Sequence, residues 1–238
     1  MSLRVETDLR KLQEKVVSCR KCPRLTRHIS SVAMQKTPRY RSWKYWAKPL
    51  PSFGDPHARL LIIGLAPAAH GGNRTGRMFT GDSSGDWLVK ALYQTGFANQ
   101  PHSVSSDDGL RLKSAYITAV VRCAPPENKP TRQEILNCSE YLAEELRLLR
   151  DVKVVVTLGR IAFDSFLRTS EILRPYRPSF KHGATYRFKG APLLVASYHP
   201  SRQNTQTGRL TWHMWLKVFK KVKKELDQPG RDRNVHRA

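Results

Sequence analysis

Four cysteines, and no others, stand at Cys19, Cys22, Cys123 and Cys138 of a 238-residue chain. The first two form a close pair, fourteen residues lie between the second two, and about a hundred residues separate the pairs. Thiols used this sparingly and grouped this way point to one four-ligand metal centre. Any fold must then bring the N-terminal segment against the middle of the chain. Spacing does not choose between zinc and an iron-sulfur cluster, because tetrahedral thiolates hold both. Two disulfides are the alternative, disfavoured in a reducing compartment.

Forty-two Lys and Arg against nineteen Asp and Glu leave a formal charge of +23. That excess exceeds what solubility needs and favours a polyanionic partner, with nucleic acid ahead of an acidic membrane surface. A membrane-binding segment would gather the charge on one amphipathic helix, whereas here it spreads over the whole chain. A generally basic surface with no specific partner stays open. No run of eighteen apolar residues occurs, and Met1 to Arg10 carries charges where a signal peptide needs an apolar stretch. The expectation is a soluble, intracellular, cytoplasmic protein.

Apolar spacing at Leu9, Leu12 and Val16 predicts a helix over 6–17, ended before Cys22-Pro23. Residues 24 to 58 are basic, aromatic and Pro-rich without a clear period, which predicts an irregular arm. From Arg59 the pattern becomes short apolar runs alternating with amphipathic stretches. Strands are expected at 60–63, 115–121, 152–158 and 193–198, and helices at 86–94, 131–149, 161–167 and 210–226. The second of those helices opens on a Thr131/Glu134 capping box. Residues 184–190 read as a small hairpin feeding the last strand. Strands apolar throughout, with helices between them, mean a three-layer α/β/α fold around a four-stranded, mainly parallel sheet. One domain spans 1–227, followed by a basic, disordered tail over 228–238. Ligands in such folds bind beyond the carboxyl ends of the strands.

Two loops leave those ends. The first, Gly64 to Asp82, is Gly-rich and too long for a plain connector. Gly71 and Gly76 have P-loop separation, but Arg77 and Met78 stand where Lys and Ser or Thr would have to be. The second, Tyr198 to Gly208, carries His199-Pro200-Ser201 and then a polar run.

These two loops, the Val121 to Pro130 segment and the four cysteines give the chain its resemblance to the uracil-DNA glycosylase superfamily, and most to its family 5, which carries an iron-sulfur cluster. The matching parts run in order from Cys19 to Gly208. The resemblance implies a DNA repair enzyme that flips out a deaminated base and hydrolyses its N-glycosidic bond, leaving an abasic site. It implies a structural 4Fe-4S cluster on Cys19, Cys22, Cys123 and Cys138, a monomer, and DNA containing deaminated bases as partner. It further implies that Phe79 stacks under the flipped base, with an ordinary core phenylalanine as the alternative. His199 would donate a hydrogen bond to the departing uracil anion.

Two departures shape the remaining assignments. Most relatives outside family 5 carry Asp, Asn or Glu directly after the opening Gly of the first motif; here Leu65 stands there, beside Ala66 in the expected base-binding set. Asp82 is therefore the expected water-positioning carboxylate, unless it is only a helix-start residue. Family 4 relatives place Asn where Ala119 stands, so the pocket should accept hypoxanthine as well as uracil. Asn128 is the remaining amide for base or water, with a turn-forming role as its alternative. Neither loop holds a lysine for a Schiff base with the sugar, so base release without strand cleavage is expected. Arg74, Arg77, Ser201, Arg202 and Gln203 are the expected DNA contacts, with Arg122 and Lys129 near the mouth. The rival reading is a non-catalytic, metal-stabilised module that binds damaged or single-stranded DNA, supported by Leu65.

Overall fold

A computed structural model describes residues 2–170, 172 and 178–228. Its strands are Phe53–Gly54 (β1), Leu60–Gly64 (β2), Ala115–Ala119 (β3), Val154–Leu158 (β4), Thr185–Tyr186 (β5) and Leu193–Ser197 (β6). They form one sheet in the order β1-β3-β2-β4-β6-β5. The four expected strands are all present, mutually parallel and buried along their whole length. The four-stranded expectation is corrected to six, because β1 and β5 add short antiparallel edges. Each edge strand has two residues, too few to show a period of two in the sequence.

Among the described residues eight α-helices cover the sheet or its ends: Ser2–Val17 (α1), Pro23–Gln35 (α2), Gly72–Thr75 (α3), Ser83–Gln94 (α4), Arg132–Leu148 (α5), Arg160–Thr169 (α6), Arg202–Gln206 (α7) and Trp212–Asp227 (α8). Alternate strand residues face opposite ways, as a pleated strand requires. Leu61, Ile63, Val155, Leu194 and Ala196 pack with α1, α2, α5 and α6. Leu60, Ile62, Val156 and Val195 pack with α4 and α8. The three layers follow from that division.

The expected irregular arm contains a helix. Pro23 opens α2 rather than closing α1, since a first-turn proline gives up only an unused N–H. Leu25 and Ile29, four apart, bury the helix against the core, and the Arg- and Ser-rich remainder hid that short stripe. A 3-10 turn at Pro38–Tyr40 follows. Of the expected tail, 229–238 lie outside the described residues.

A polar network lies between α1, the arm, β3 and α5. Glu145 is fully buried; its Oε2 accepts from Arg122 Nη2 at 2.6 Å and Thr118 Oγ1 at 2.6 Å. Its Oε1 accepts from Ser52 Oγ at 2.5 Å and Gln13 Nε2 at 3.4 Å. Arg122 also donates to Ser52, and its carbonyl accepts from the Leu50 N–H at 2.7 Å. Ser52 and Leu50 are thus tied to the residue next to Cys123. The Arg122 guanidinium is buried here and cannot serve as a DNA contact at the mouth. Breaking such a pair leaves a charge unpaired in the interior. Arg122→Met is expected to lower unfolding stability by about 3 to 5 kcal/mol, read by chemical denaturation.

Candidate active site

The chain leaves β2, crosses to β3 on one side, and returns to β4 on the other, so the carboxyl ends of β2 and β4 flank the crevice where such sheets bind ligands. Gly64, last residue of β2, lies opposite Ala119, last residue of β3. Gly64 carries no side chain, and the Phe79 ring fills the space: a Cβ there would stand 2.9 Å from two ring carbons. Phe79 has φ +50, a left-handed conformation costly for an aromatic residue. Its neighbours hold it there. Arg77 donates to Thr80 Oγ1 at 2.9 Å and, with Nη2, to Asp108 and Ser103 at 2.8 Å.

The His199 ring lies 6.0 Å from the Phe79 ring, centroid to centroid, with the planes 32° apart. Asn204 Nδ2 donates to the His199 carbonyl at 2.8 Å, and Ser84 Oγ donates to the Pro200 carbonyl at 3.1 Å. Behind it stands Gly159, which follows β4 and caps α6. His199 keeps some solvent contact, but the protein packed around its ring removes enough water to lower the imidazole to about 4. It is therefore neutral at pH 7, a donor that brings no charge of its own.

Asp82 caps α4: its Oδ1 accepts from the N–H groups of Ser84 at 3.0 Å and Gly85 at 2.9 Å. Its other oxygen, Oδ2, lies against Gly71, where a Cβ would come within 1.9 Å. Oδ2 accepts no hydrogen bond from the described residues. Burial raises the carboxyl above the ordinary range, against the pull of the Gly85 and Ser84 amides and of the Arg74 charge. Asp82 is both a helix cap and a carboxylate with a free oxygen, and one reading does not displace the other. In the sequence Gly71 stood out only for its P-loop separation from Gly76; the folded loop alone puts the carboxylate on its missing side chain.

The remaining expected residues divide. Leu65 and Ala66 are half-buried just past β2, with the Leu65 carbonyl accepting from the Val121 N–H at 2.9 Å. Ser201 caps α7 through Asn204 N, and Arg202 and Gln203 are exposed on its first turn, directly beyond His199. Asn128 is exposed at φ +58 in a 3-10 turn, a position suited to a turn-forming Asn, and makes no side-chain hydrogen bond that joins it to Asp82, Phe79 or His199. Arg74 and Arg77 are corrected: both guanidinium groups are buried. Arg77 pairs with Asp108, and Arg74 lies between the rings of Tyr40 and Trp43 at 4.0 and 4.1 Å while donating to the carbonyls of His70 and Gly81. Burial, rather than a full set of partners, keeps Arg74 from a surface phosphate, since its Nη1 is buried with no hydrogen bond to a described residue. Nothing in the sequence marks this, because the partners lie up to thirty-four residues away.

The four cysteines are reduced, Cys123 and Cys138 buried and Cys19 and Cys22 half-buried. Burial and the neighbouring thiols raise Cys123 well above the usual thiol range, and burial raises Cys138 to about 11. Asn137 Nδ2 reaches Cys22 Sγ at 3.4 Å, and the ion pairs Lys21–Glu140 and Arg24–Glu134 fasten the first cysteine pair to α5. Among the described residues no three His, Cys, Asp or Glu side chains converge closely enough to hold a metal ion as they stand. No described helix is long and apolar enough to cross a membrane.

Residues 51–223 match the family model described as the uracil DNA glycosylase superfamily. The chain is 50% identical over 209 residues to a type-5 uracil-DNA glycosylase of Thermus thermophilus, covering 88% of this chain and 94% of that one. It is 48% identical to a type-5 uracil-DNA glycosylase of Pyrobaculum aerophilum, over 87% of this chain and 89% of the other. Identity to a type-4 uracil-DNA glycosylase of Sulfurisphaera tokodaii is 29%, over 81% of this chain and 74% of that one.

A neutral His199 has a measurable signature. Its folded pKa lies below the unfolded value of about 6.5, so its contribution to stability is complete above that value and lost as pH falls through about 4. NMR titration of the His199 ring is expected to show a midpoint near 4; a midpoint above about 6 would refute the buried, neutral imidazole.

Proposed function

Because this chain belongs to the uracil-DNA glycosylase superfamily and matches type-5 members along most of its length, we infer that it hydrolyses the N-glycosidic bond between uracil and deoxyribose in DNA, as a step of DNA repair. The observation that carries the reading at atomic level is the Phe79–His199 pair over the side-chain-free Gly64. A base inside a duplex cannot reach that crevice, so it must be flipped out and stacked on Phe79. As the bond breaks, negative charge grows on the base. The neutral His199 ring donates a hydrogen bond to the oxygen that receives it, where a preorganised donor is worth most. Asp82 Oδ2 holds the attacking water or steadies the sugar cation, a role Leu65 cannot take. Its raised pKa brings the carboxyl closer to a useful base.

Breadth follows from Ala119. Its methyl shares the floor with Phe79 and offers no hydrogen bond, so nothing there rejects hypoxanthine. Release without strand cleavage is supported by the lack of lysine in both motif loops. Ser201, Arg202 and Gln203 take the DNA beside the flipped base, and Asn128 has no part in this scheme. A 4Fe-4S cluster fits the all-thiol donor set of Cys19, Cys22, Cys123 and Cys138. When bound, it would cross-link the loop before α2 to α5 and to the segment after β3; the reaction needs no electron transfer.

DNA carrying one uracil, hypoxanthine, xanthine or mismatched thymine is the test, with alkali revealing abasic sites. Uracil and hypoxanthine are expected to react, with nicks only after alkali. No product from either would end the catalytic reading in favour of a binding module. His199→Ala is expected to slow single-turnover cleavage about a hundred- to a thousand-fold. Purified protein should be brown and lose its colour in Cys123→Ala; a colourless, zinc-loaded native protein would refute the cluster.

A further inference from the structure

We propose that the strap formed by residues 37–47, with exposed Arg39, Arg41 and Lys44, is the clamp that grips the DNA backbone beside the flipped base; this rests on the glycosylase reading above. With Arg74, Arg77 and Arg122 buried, the phosphate contacts must come from other cations. The strap is folded onto the active-site loop by unusually specific bonds. The N–H groups of Trp46 and Ala47 donate to the carbonyls of Arg74 and Asn73, both at 3.1 Å. Tyr45 Oη and His70 Nδ1 share a hydrogen bond at 3.0 Å. The Arg74 guanidinium between Tyr40 and Trp43 closes the junction with a pair of cation–π contacts.

That anchoring fixes where the outward cations stand. Arg74 carries Tyr40 on one face and, through Nη2, holds the Gly81 carbonyl at 3.0 Å, one residue before Asp82. Arg39 lies over the other part of the same Tyr40, its Cζ 5.3 Å from the ring centroid, and its charge is felt by Asp86 one turn along α4 from Asp82. The same end of α4 is bonded to Pro200, next to His199. Arg39, Arg41 and Lys44 make no ion pair with a described residue. Three unpaired cations on a rigid strap beside the crevice suit a polyphosphate backbone, whose counterions they displace.

Binding to duplex DNA holding an abasic-site analogue, followed by fluorescence anisotropy across a salt series, tests this. The triple variant Arg39→Gln, Arg41→Gln, Lys44→Gln is expected to bind about tenfold or more weakly, with the log–log salt slope shallower by about 2 to 3. A second variant, Lys217→Gln, Lys220→Gln, Lys224→Gln, removes equal charge from the exposed side of α8, which runs away from the crevice to Arg59; its slope should match the native one. An unchanged slope in the strap variant, or equal losses in both variants, overturns the clamp and leaves the glycosylase reading intact. Inactivity of the native protein on uracil, with the strap effect present, would instead overturn that reading and leave the clamp.

Discussion

The Arg122–Glu145 ion pair lies where α1, the arm, β3 and α5 meet. Its carboxylate takes hydrogen bonds from β3, α5's partner Arg122, the strap's continuation at Ser52, and α1 at Gln13. A buried ion pair adds little net stability compared with a well-packed apolar substitute, because both charges lose their hydration. What it does impose is geometry. Each donor must sit within hydrogen-bond reach of one of two oxygens, so the N-terminal helix, the arm and the sheet have one mutual arrangement. Cys123 follows Arg122 directly, and Cys138 lies two turns before Glu145 on α5. The thiol set and the polar network therefore share the same two supports, and neither can shift alone.

The site is built on a second economy of geometry, in which side chains are left out to make room. Gly64 leaves space for the Phe79 ring, Gly71 for the Asp82 carboxylate, and Gly159 lies behind His199. Strain at Phe79 persists because Arg77, Asp108 and Ser103 hold the turn from below. In this arrangement the arginines of the first loop are internal braces. Their charge is directed into the protein, while the charge that meets solvent is carried by neighbouring segments.

Much of the frame was legible from the chain alone. The four central strands are continuous apolar runs, a pattern that only a sheet covered on both faces can bury, and their carboxyl ends locate both loops. The capping box at Thr131 and Glu134 marked the start of α5, and both reciprocal bonds are present. What escaped had physical reasons. Two-residue edge strands carry no period. Pro23 is ambiguous between ending one helix and starting another. A loop arginine looks the same in sequence whether it faces a phosphate or a tryptophan, because burial is decided by residues far away. Arg77 meets Asp108 thirty-one positions on, and Arg74 meets Tyr40 from the preceding arm.

The distance along the chain between those partners bears on how the protein is made. Lys21 pairs with Glu140 across 119 positions, and Gln13 reaches Glu145 across 132. As the chain emerges from N- to C-terminus, α1 appears well before β3 and α5, on which its polar contacts close, whereas the strap meets its partners in the Gly-rich loop within thirty-four positions. Closing loops of that length costs chain entropy that α1 recovers only once β3 and α5 are in place. The helix synthesised first therefore waits on segments made more than a hundred positions later, while the aromatic cover that holds Arg74 can close locally.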